Sequence, residues 1–219
     1  MGEVITDREA RFVAILVDRP ELALTLSRYD EGEKGPGPHL HREHADSFLI
    51  LSGGLRFELA GVPRTLEPGE LLLAPPHLVH TLLNERPEPA WWLNFHTPQT
   101  GFLTTMRARR DGAESPPWDS FPAEPEDGLP VSAALAGESF ASEWLRVERL
   151  RLAAGEEAER QVAGLSVVAA VSGEVRVRAD GLDTRVERHG VAVVPPGVAW
   201  RVVAAGPAAD LVVTEVAQR

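Results

Sequence analysis

The chain of 219 residues contains no cysteine, which removes disulfides, thiolate metal ligands and cysteine nucleophiles in one step. Basic residues are scarce relative to acidic ones, 22 Lys and Arg against 33 Asp and Glu, for a net charge of −11. Nucleic acids and anionic membranes call for basic faces, so the balance argues against both as partners. No apolar run approaches the ~18 residues of a membrane span. The opening residues Met1-Gly2-Glu3 lack the basic and apolar regions of a secretory signal, and a cytoplasmic protein is expected. Also missing are a G-x-S-x-G nucleophile elbow and any phosphate-binding glycine loop. Serine hydrolase and nucleotide-dependent chemistries therefore lose their usual carriers.

What is present is histidine in an uneven distribution. Six of the seven histidines fall between residues 39 and 96. His39-x-His41-x4-Asp46 is followed 34 residues later by His80, inside Gly69-x5-Pro75-x-His77-x2-His80-x3-Asn84. Residues two apart on a strand project to one side, so His39 and His41 point together. Asp46 and His80 complete a set of three imidazoles and one carboxylate if neighbouring strands supply them. Such a set suits Fe, Mn, Ni, Co, Cu or Zn as a divalent cofactor. A lone buried histidine is ordinarily a satisfied core residue, whereas four ligand types in two strand blocks point to a metal pocket.

The rest of the chain reads as β-structure. The 19 glycines and 18 prolines, with 43% hydrophobic residues, fit many turns around a core better than disorder. Arg11–Val17 and Glu21–Arg28 read as opening strands, and Phe48–Leu51 and Leu55–Leu59 flank Ser52-Gly53-Gly54, a hairpin signal. Val79–Leu83 and Trp91–Phe95 are further strands. Thr97-Pro98 predicts the start of a short helix through about Arg110, ended by Asp111-Gly112. Residues 111–130, rich in proline and acid, read as a linker.

The sequence also repeats. A shift of 120 residues lays Ser52-Gly53 on Ser172-Gly173, Gly61 on Gly181 and Pro75-Pro76 on Pro195-Pro196. A constant offset of this kind argues for two copies of one structural unit. It carries His39 to Glu159, His41 to Gln161, Asp46 to Ser166 and His80 to Trp200, so the ligand types vanish from the second copy. One metal ion per chain is expected, with Trp200 and apolar packing in place of the second site. The expected domains are 1–100 with the site, 101–141 as helix and linker, and 142–219 as the degenerate copy.

The two histidine blocks resemble the paired motifs of the cupin superfamily, G-x5-H-x-H-x(3,4)-E-x6-G and G-x5-P-x-G-x2-H-x3-N. Asp46 takes the glutamate slot and keeps its spacing to Gly53; Gly37 displaces the opening glycine, and His77 replaces a turn glycine. The resemblance implies an all-β fold of two tandem jelly-roll barrels, joined by a short helical, proline-rich connection. It implies His39, His41, Asp46 and His80 as metal ligands, with the Asp46 carboxylate also the candidate base. The first-half run is similar to small bicupins grouped with quercetin 2,3-dioxygenase. That grouping implies dioxygen chemistry on a polyphenol or related enediol and association into a homodimer.

Around this set, Asn84, His77, Asn94, His96 and Phe48 are candidates for substrate contact or for a supporting polar shell. Trp92, Asn94 and His96 share one strand face, Trp91, Leu93 and Phe95 the other. His44 reads first as a solvated loop residue and second as an outer partner that orients a ligand imidazole, and Arg107, Arg109 and Arg110 read as a solvated helix face. Three functions fit: a dioxygenase-type oxidoreductase, a metal-dependent isomerase or lyase on a sugar-like or keto-acid substrate, and a non-catalytic small-molecule-binding barrel.

Overall fold

The computed structural model describes residues 3–6, 12–127, 134–136 and 139–217. The chain divides into two compact units, Met1–Leu135 and Ala136–Arg219. Alternating apolar residues, as in Leu22, Leu24 and Leu26, give strands whose inner faces need a partner sheet. In the first unit these strands are β1 (Glu3–Thr6), β2 (Phe12–Arg19), β3 (Leu22–Tyr29), β4 (His39–Leu40), β5 (Ala45–Ser52) and β6 (Leu55–Leu59). They continue with β7 (Val62–Leu66), β8 (Leu71–Ala74), β9 (His80–Leu83) and β10 (Ala90–Thr97), then helix α1 (Phe102–Arg110) and the short β11 (Phe121–Pro122).

Two sheets result. One runs β1-β2-β3-β10-β5-β8 and the other β11-β4-β9-β6-β7. Side chains from both fill the space between them, with Phe48, Ile50 and Leu72 from the first packed among Leu55, Phe57 and Leu66 from the second. This is the double-sheet jelly roll expected from the turn-rich, all-β pattern. The helix forms over Phe102–Arg110 with Gly101 as its N-cap, four residues later than the Thr97-Pro98 signal suggested. Thr97 instead finishes β10, because its pairing with Ala45 extends that strand.

The hairpin expected at Ser52-Gly53-Gly54 does not form. β5 pairs with β10 and β8, whereas β6 pairs with β7 and β9, so the glycines carry the chain from one sheet to the other. Gly53 has φ +69°, and a Cβ there would lie 2.6 Å from the Pro89 carbonyl oxygen. A sheet-switching corner and a hairpin both need a glycine of this kind, so local sequence does not separate them.

The short β12 (Ala134–Ala136) spans the boundary between the units. The second unit repeats the plan with β13 (Ser139–Ala141), β14 (Leu145–Ala153), β15 (Glu157–Gln161), β16 (Ser166–Ser172) and β17 (Val175–Ala179). β18 (Leu182–Val186), β19 (Val191–Val194), β20 (Ala199–Ala204) and β21 (Ala208–Val216) complete it. Its sheets run β13-β14-β21-β16-β19 and β15-β20-β17-β18. The irregularity in the β5–β10 ladder at Ser52 recurs in the β16–β21 ladder at Ser172. Left-handed turn residues coincide as well: Gly53 with Gly173, Gly61 with Gly181, and His77 (φ +68°) with Gly197 (φ +75°).

The repeat breaks where the ligands would be. His39 pairs with His80, but Trp200 pairs with Arg160 rather than with Glu159. A register step of one residue turns every side chain of a strand over. Glu159 and Gln161 consequently face solvent, Ala158 packs towards the interior, and Trp200 sits buried in a cluster of apolar side chains with Val177 and Val202. The second barrel is filled by packing.

The glycine corner of the second unit gives a direct stability test. Gly173→Ala places a methyl 2.2 Å from the Ala208 carbonyl oxygen at φ +71°, and should cost more than about 2 kcal/mol. Gly181→Ala, at φ +70° with nothing within 4 Å, should cost about 1 kcal/mol. Urea unfolding midpoints compare the two directly, and equal losses would contradict the clash.

Candidate metal centre

Three imidazoles and a carboxylate meet between the two sheets of the first unit. β4 and β9 are neighbours, which sets His39 beside His80 with ring centroids 4.4 Å apart. His41 lies two residues beyond His39, its ring 5.0 Å from His39 and 5.2 Å from His80. Asp46 comes from the opposite sheet, on β5, where it pairs with His96 of β10 and Ala74 of β8. His41 Nε2 and His80 Nε2 each lie 3.4 Å from Asp46 Oδ2. All four residues are buried, and their ligand atoms lie within 4.8 Å of one another.

The outer nitrogens determine what the inner ones present. His39 Nδ1 faces the Gly37 carbonyl at 2.9 Å, His80 Nδ1 faces that of Leu78 at 3.0 Å, and His41 Nδ1 faces that of Asp119. A carbonyl only accepts, so each Nδ1 carries the hydrogen and each Nε2 turns a bare lone pair inward. Those lone pairs converge on a carboxylate that also only accepts. His41 Nε2 is buried without a hydrogen-bond partner. Desolvated acceptors facing one another are unfavourable unless a cation lies among them. The donor set therefore fits a divalent transition-metal ion, with nitrogen and oxygen ligands and no sulfur.

Burial, followed by the neighbouring His80 and His41, pushes His39 down to about 3, so the ring is neutral near pH 7. Burial alone would raise the Asp46 carboxyl, but His96, His41 and His80 outweigh it and hold the group well below the usual carboxylate range. Asp46 is thus an anion beside a neutral His39 ring.

A second group of buried side chains stands behind the first. Asn94 Nδ2 donates to Asp46 Oδ1 and to the Ser47 carbonyl. His96 Nε2 lies 3.0 Å from Asn94 Oδ1, His44 Nε2 lies 3.0 Å from His96 Nδ1, and His44 Nδ1 lies 2.7 Å from Asp119 Oδ2. The chain runs from Asp119 to Asp46, and its three contacts at the rings need three hydrogens. Burial pushes His44 down to about 4 and His96 well below the imidazole range, so two neutral rings supply only two. The chain has room for one more proton, at a desolvation cost. His41, His44 and His96 also form a second three-histidine group whose ring nitrogens are close enough to share an ion.

His44 is fully buried, not solvated as the sequence suggested. Its loop is held down by Asp119, whose carboxylate accepts from the Arg42 N–H at 2.8 Å, the Glu43 N–H at 2.7 Å and the His44 ring. Asp119 and the adjacent Trp118 belong to the stretch read as a linker. A tryptophan and an acid amid small, polar and proline residues were the one local hint that this segment packs. Of the remaining candidates, Phe48, Asn94 and His96 line the cavity beside Asp46, together with Tyr29, Trp92 and Phe102. The structure does not bring Asn84 or His77 there. Asn84 closes the turn after β9, donating to the Tyr29 and Glu88 carbonyls and accepting from the Arg86 N–H. His77 is exposed, and its backbone N–H donates to the His41 carbonyl.

The paired sheets and the histidine blocks define a barrel of the cupin type, and the family model for the cupin domain matches residues 25–96. That match lies within the first of the two jelly-roll units. The fold of the chain is similar to that of salicylate 1,2-dioxygenase from Pseudoaminobacter salicylatoxidans, a mutant of which was solved with gentisate: TM-score 0.69 and 20% identity, covering 96% of this chain and 76% of that one. AerE from Microcystis aeruginosa is similar at TM-score 0.71 and 12% identity over 100% of this chain and 98% of its own. Protein Ylba from E. coli is similar at TM-score 0.72 and 12% identity, covering 100% and 88%. No curated protein sequence matches the chain. Among the described residues, no helix is long and apolar enough to cross a membrane.

Acid should expose the cost of these neutral rings. Unfolded, His39 takes a proton near 6.5; folded, it resists down to about 3. The unfolded chain therefore binds more protons in that window, and stability falls as pH drops from about 6.5 towards 3. In metal-stripped protein the urea midpoint of the first unit should decline between pH 6.5 and 4, and His39→Gln should flatten the decline. An unchanged slope in that variant would contradict the assignment.

Proposed function

We propose that the protein is a metal-dependent oxidoreductase of the dioxygenase type, acting on a small chelating organic substrate such as a polyphenol or enediol. The observation that carries this reading is the convergence of three Nε2 lone pairs on Asp46, each ring fixed by a backbone carbonyl at Nδ1. His39, His41, Asp46 and His80 would hold the ion. When bound, it would supply Lewis acidity and a template on which two oxygen donors can be gathered.

The remaining roles fall to the chain's own residues. Asp119 keeps the histidine loop down and gives His41 Nδ1 its acceptor, so the ring cannot turn away. Asn94 holds Asp46 Oδ1, leaving Oδ2 towards the imidazoles. A proton leaving a substrate hydroxyl near Asp46 has an acceptor there, and the His96–His44 chain behind it has room for a hydrogen. The aromatic side chains along the cavity suit a flat substrate. The resemblance in fold to a dioxygenase supports the reading without fixing the substrate. The same proton-accepting chain favours a second reading, a metal-dependent isomerase or lyase that enolises a small hydroxyketone or keto acid.

Metal binding is tested first. Purified protein reconstituted with divalent ions should hold one equivalent per chain by elemental analysis, and His80→Ala should lose most of it. Asp119→Ala should weaken metal binding about 10- to 100-fold, as loss of a supporting partner does. Full occupancy in His80→Ala would remove His80 from the ligand set.

Turnover separates the two readings. Protein loaded in turn with Fe, Mn, Ni, Co and Cu should consume dioxygen with a catechol or hydroxylated aromatic acid, and Asp46→Asn should abolish uptake. Isomerised product without oxygen consumption would replace the first reading by the second.

A further inference from the structure

Helix α1 carries three arginines in its last turns, and they differ in what they touch. Arg107 is paired with Asp18 at 2.6 Å and Arg110 with Asp111 at 2.7 Å. The Arg109 side chain has no ion-pair or hydrogen-bond partner among the described residues, yet Arg109 lines the cavity that contains Asp46 and His39. Arg109 is exposed, as a solvated helix face requires, and it also borders the cavity, so one uncommitted guanidinium stands at the cavity's rim.

The cavity is small, about 100 Å³. A hydrophobic cavity of roughly 150 Å³ holds a benzene-sized molecule, whereas drug-sized ligands occupy ~300–1,000 Å³. Its apolar wall includes the aromatic side chains of Tyr29, Trp92, Phe102 and Trp118, with Met106 and Arg109 both from the helix. The apolar walls cannot pair with an ionic group, so any charge on the ligand must be met at Arg109 or among the buried polar residues. The latter already include the Asp46 carboxylate, which repels an anion unless a cation intervenes. The guanidinium fork matches a planar carboxylate and is always charged.

We propose that Arg109 makes the cavity selective for carboxylates built on no more than a single ring, anchoring the carboxylate while the ring lies between the aromatic walls and its far edge approaches Asp46. The proposal deepens the reading of this cavity as the substrate site. It narrows the expected polyphenols to small acids and assigns a specificity-determining residue outside both histidine blocks. Three-ring flavonols exceed the space between the walls. Arg109 is a binding residue here, since the proton and metal chemistry belong to the opposite end.

Binding measured without turnover tests this, using quenching of the tryptophan fluorescence or calorimetry on the full chain, both metal-stripped and metal-loaded. Benzoate, the isosteric but neutral benzamide, and the two-ring 2-naphthoate are the probes. Benzoate should bind about tenfold more tightly than benzamide, the scale of one charge-assisted contact, and more tightly than 2-naphthoate. Arg109→Gln should erase the preference for the acid while leaving benzamide binding unchanged, and Arg109→Lys should restore part of it. Equal binding of acid and amide by the parent protein, an acid preference that survives Arg109→Gln, or 2-naphthoate binding as tightly as benzoate would overturn the proposal. Failure of the metal reading is separately visible, because elemental analysis would then find no ion while the acid preference remained.

Discussion

Much of the first barrel is organised around a set of acceptors that have no donor between them. Three imidazole lone pairs and an ionised carboxylate meet where water is excluded. That arrangement is costly for a folded chain, and it persists because the surroundings leave the groups no alternative. Each Nδ1 is committed to a carbonyl, the Asp46 carboxylate is pinned by Asn94, and the loop bearing His41 and His44 is fastened by Asp119. The rigidity that makes the site expensive also makes it ready for a cation, because little needs to move when one enters.

The two barrels show what happens to the same architecture with and without this constraint. Both keep the four-strand pairings, the glycine corner and the left-handed turn after Pro-Pro. In the second, Trp200 fills the interior and β15 has stepped by one residue against β20, turning its acid and amide side chains to solvent. An apolar interior can be completed by any well-packed set of side chains. A ligand set must keep its register, because one step moves every donor to the wrong face.

Support for the site comes from beyond the barrel strands. Helix α1 and the segment that follows bring Phe102, Arg109 and Trp118 to a pocket whose other walls come from strands of both sheets, and bring Asp119 to the histidine loop. Stacking of His96 on Phe102, with centroids 4.0 Å apart, joins this covering layer to the His96–His44 hydrogen-bonded chain. The candidate ligands and their covering thus come from different parts of the sequence: strands and the loop after β4 carry the histidines and Asp46, and the helical return lines the cavity beside them.

How much of this was legible in the residues depended on range. Period-two spacing placed His39 and His41 together, Gly and Pro marked the turns, the repeat announced two barrels, and the alternation on the last strand placed Trp92, Asn94 and His96 on one face, which the structure turns inward. These are local properties of a strand and survive without knowledge of its neighbours. The switch of sheets at Gly53, the burial of His44, the tie from Asp119 across more than 70 residues and the register step at Glu159 were decided by tertiary structure alone. Each depends on which surface lies opposite. A glycine, a histidine or a proline-rich stretch has the same sequence signature whether it faces solvent or another sheet, and only the packed fold supplies the partner that makes the difference.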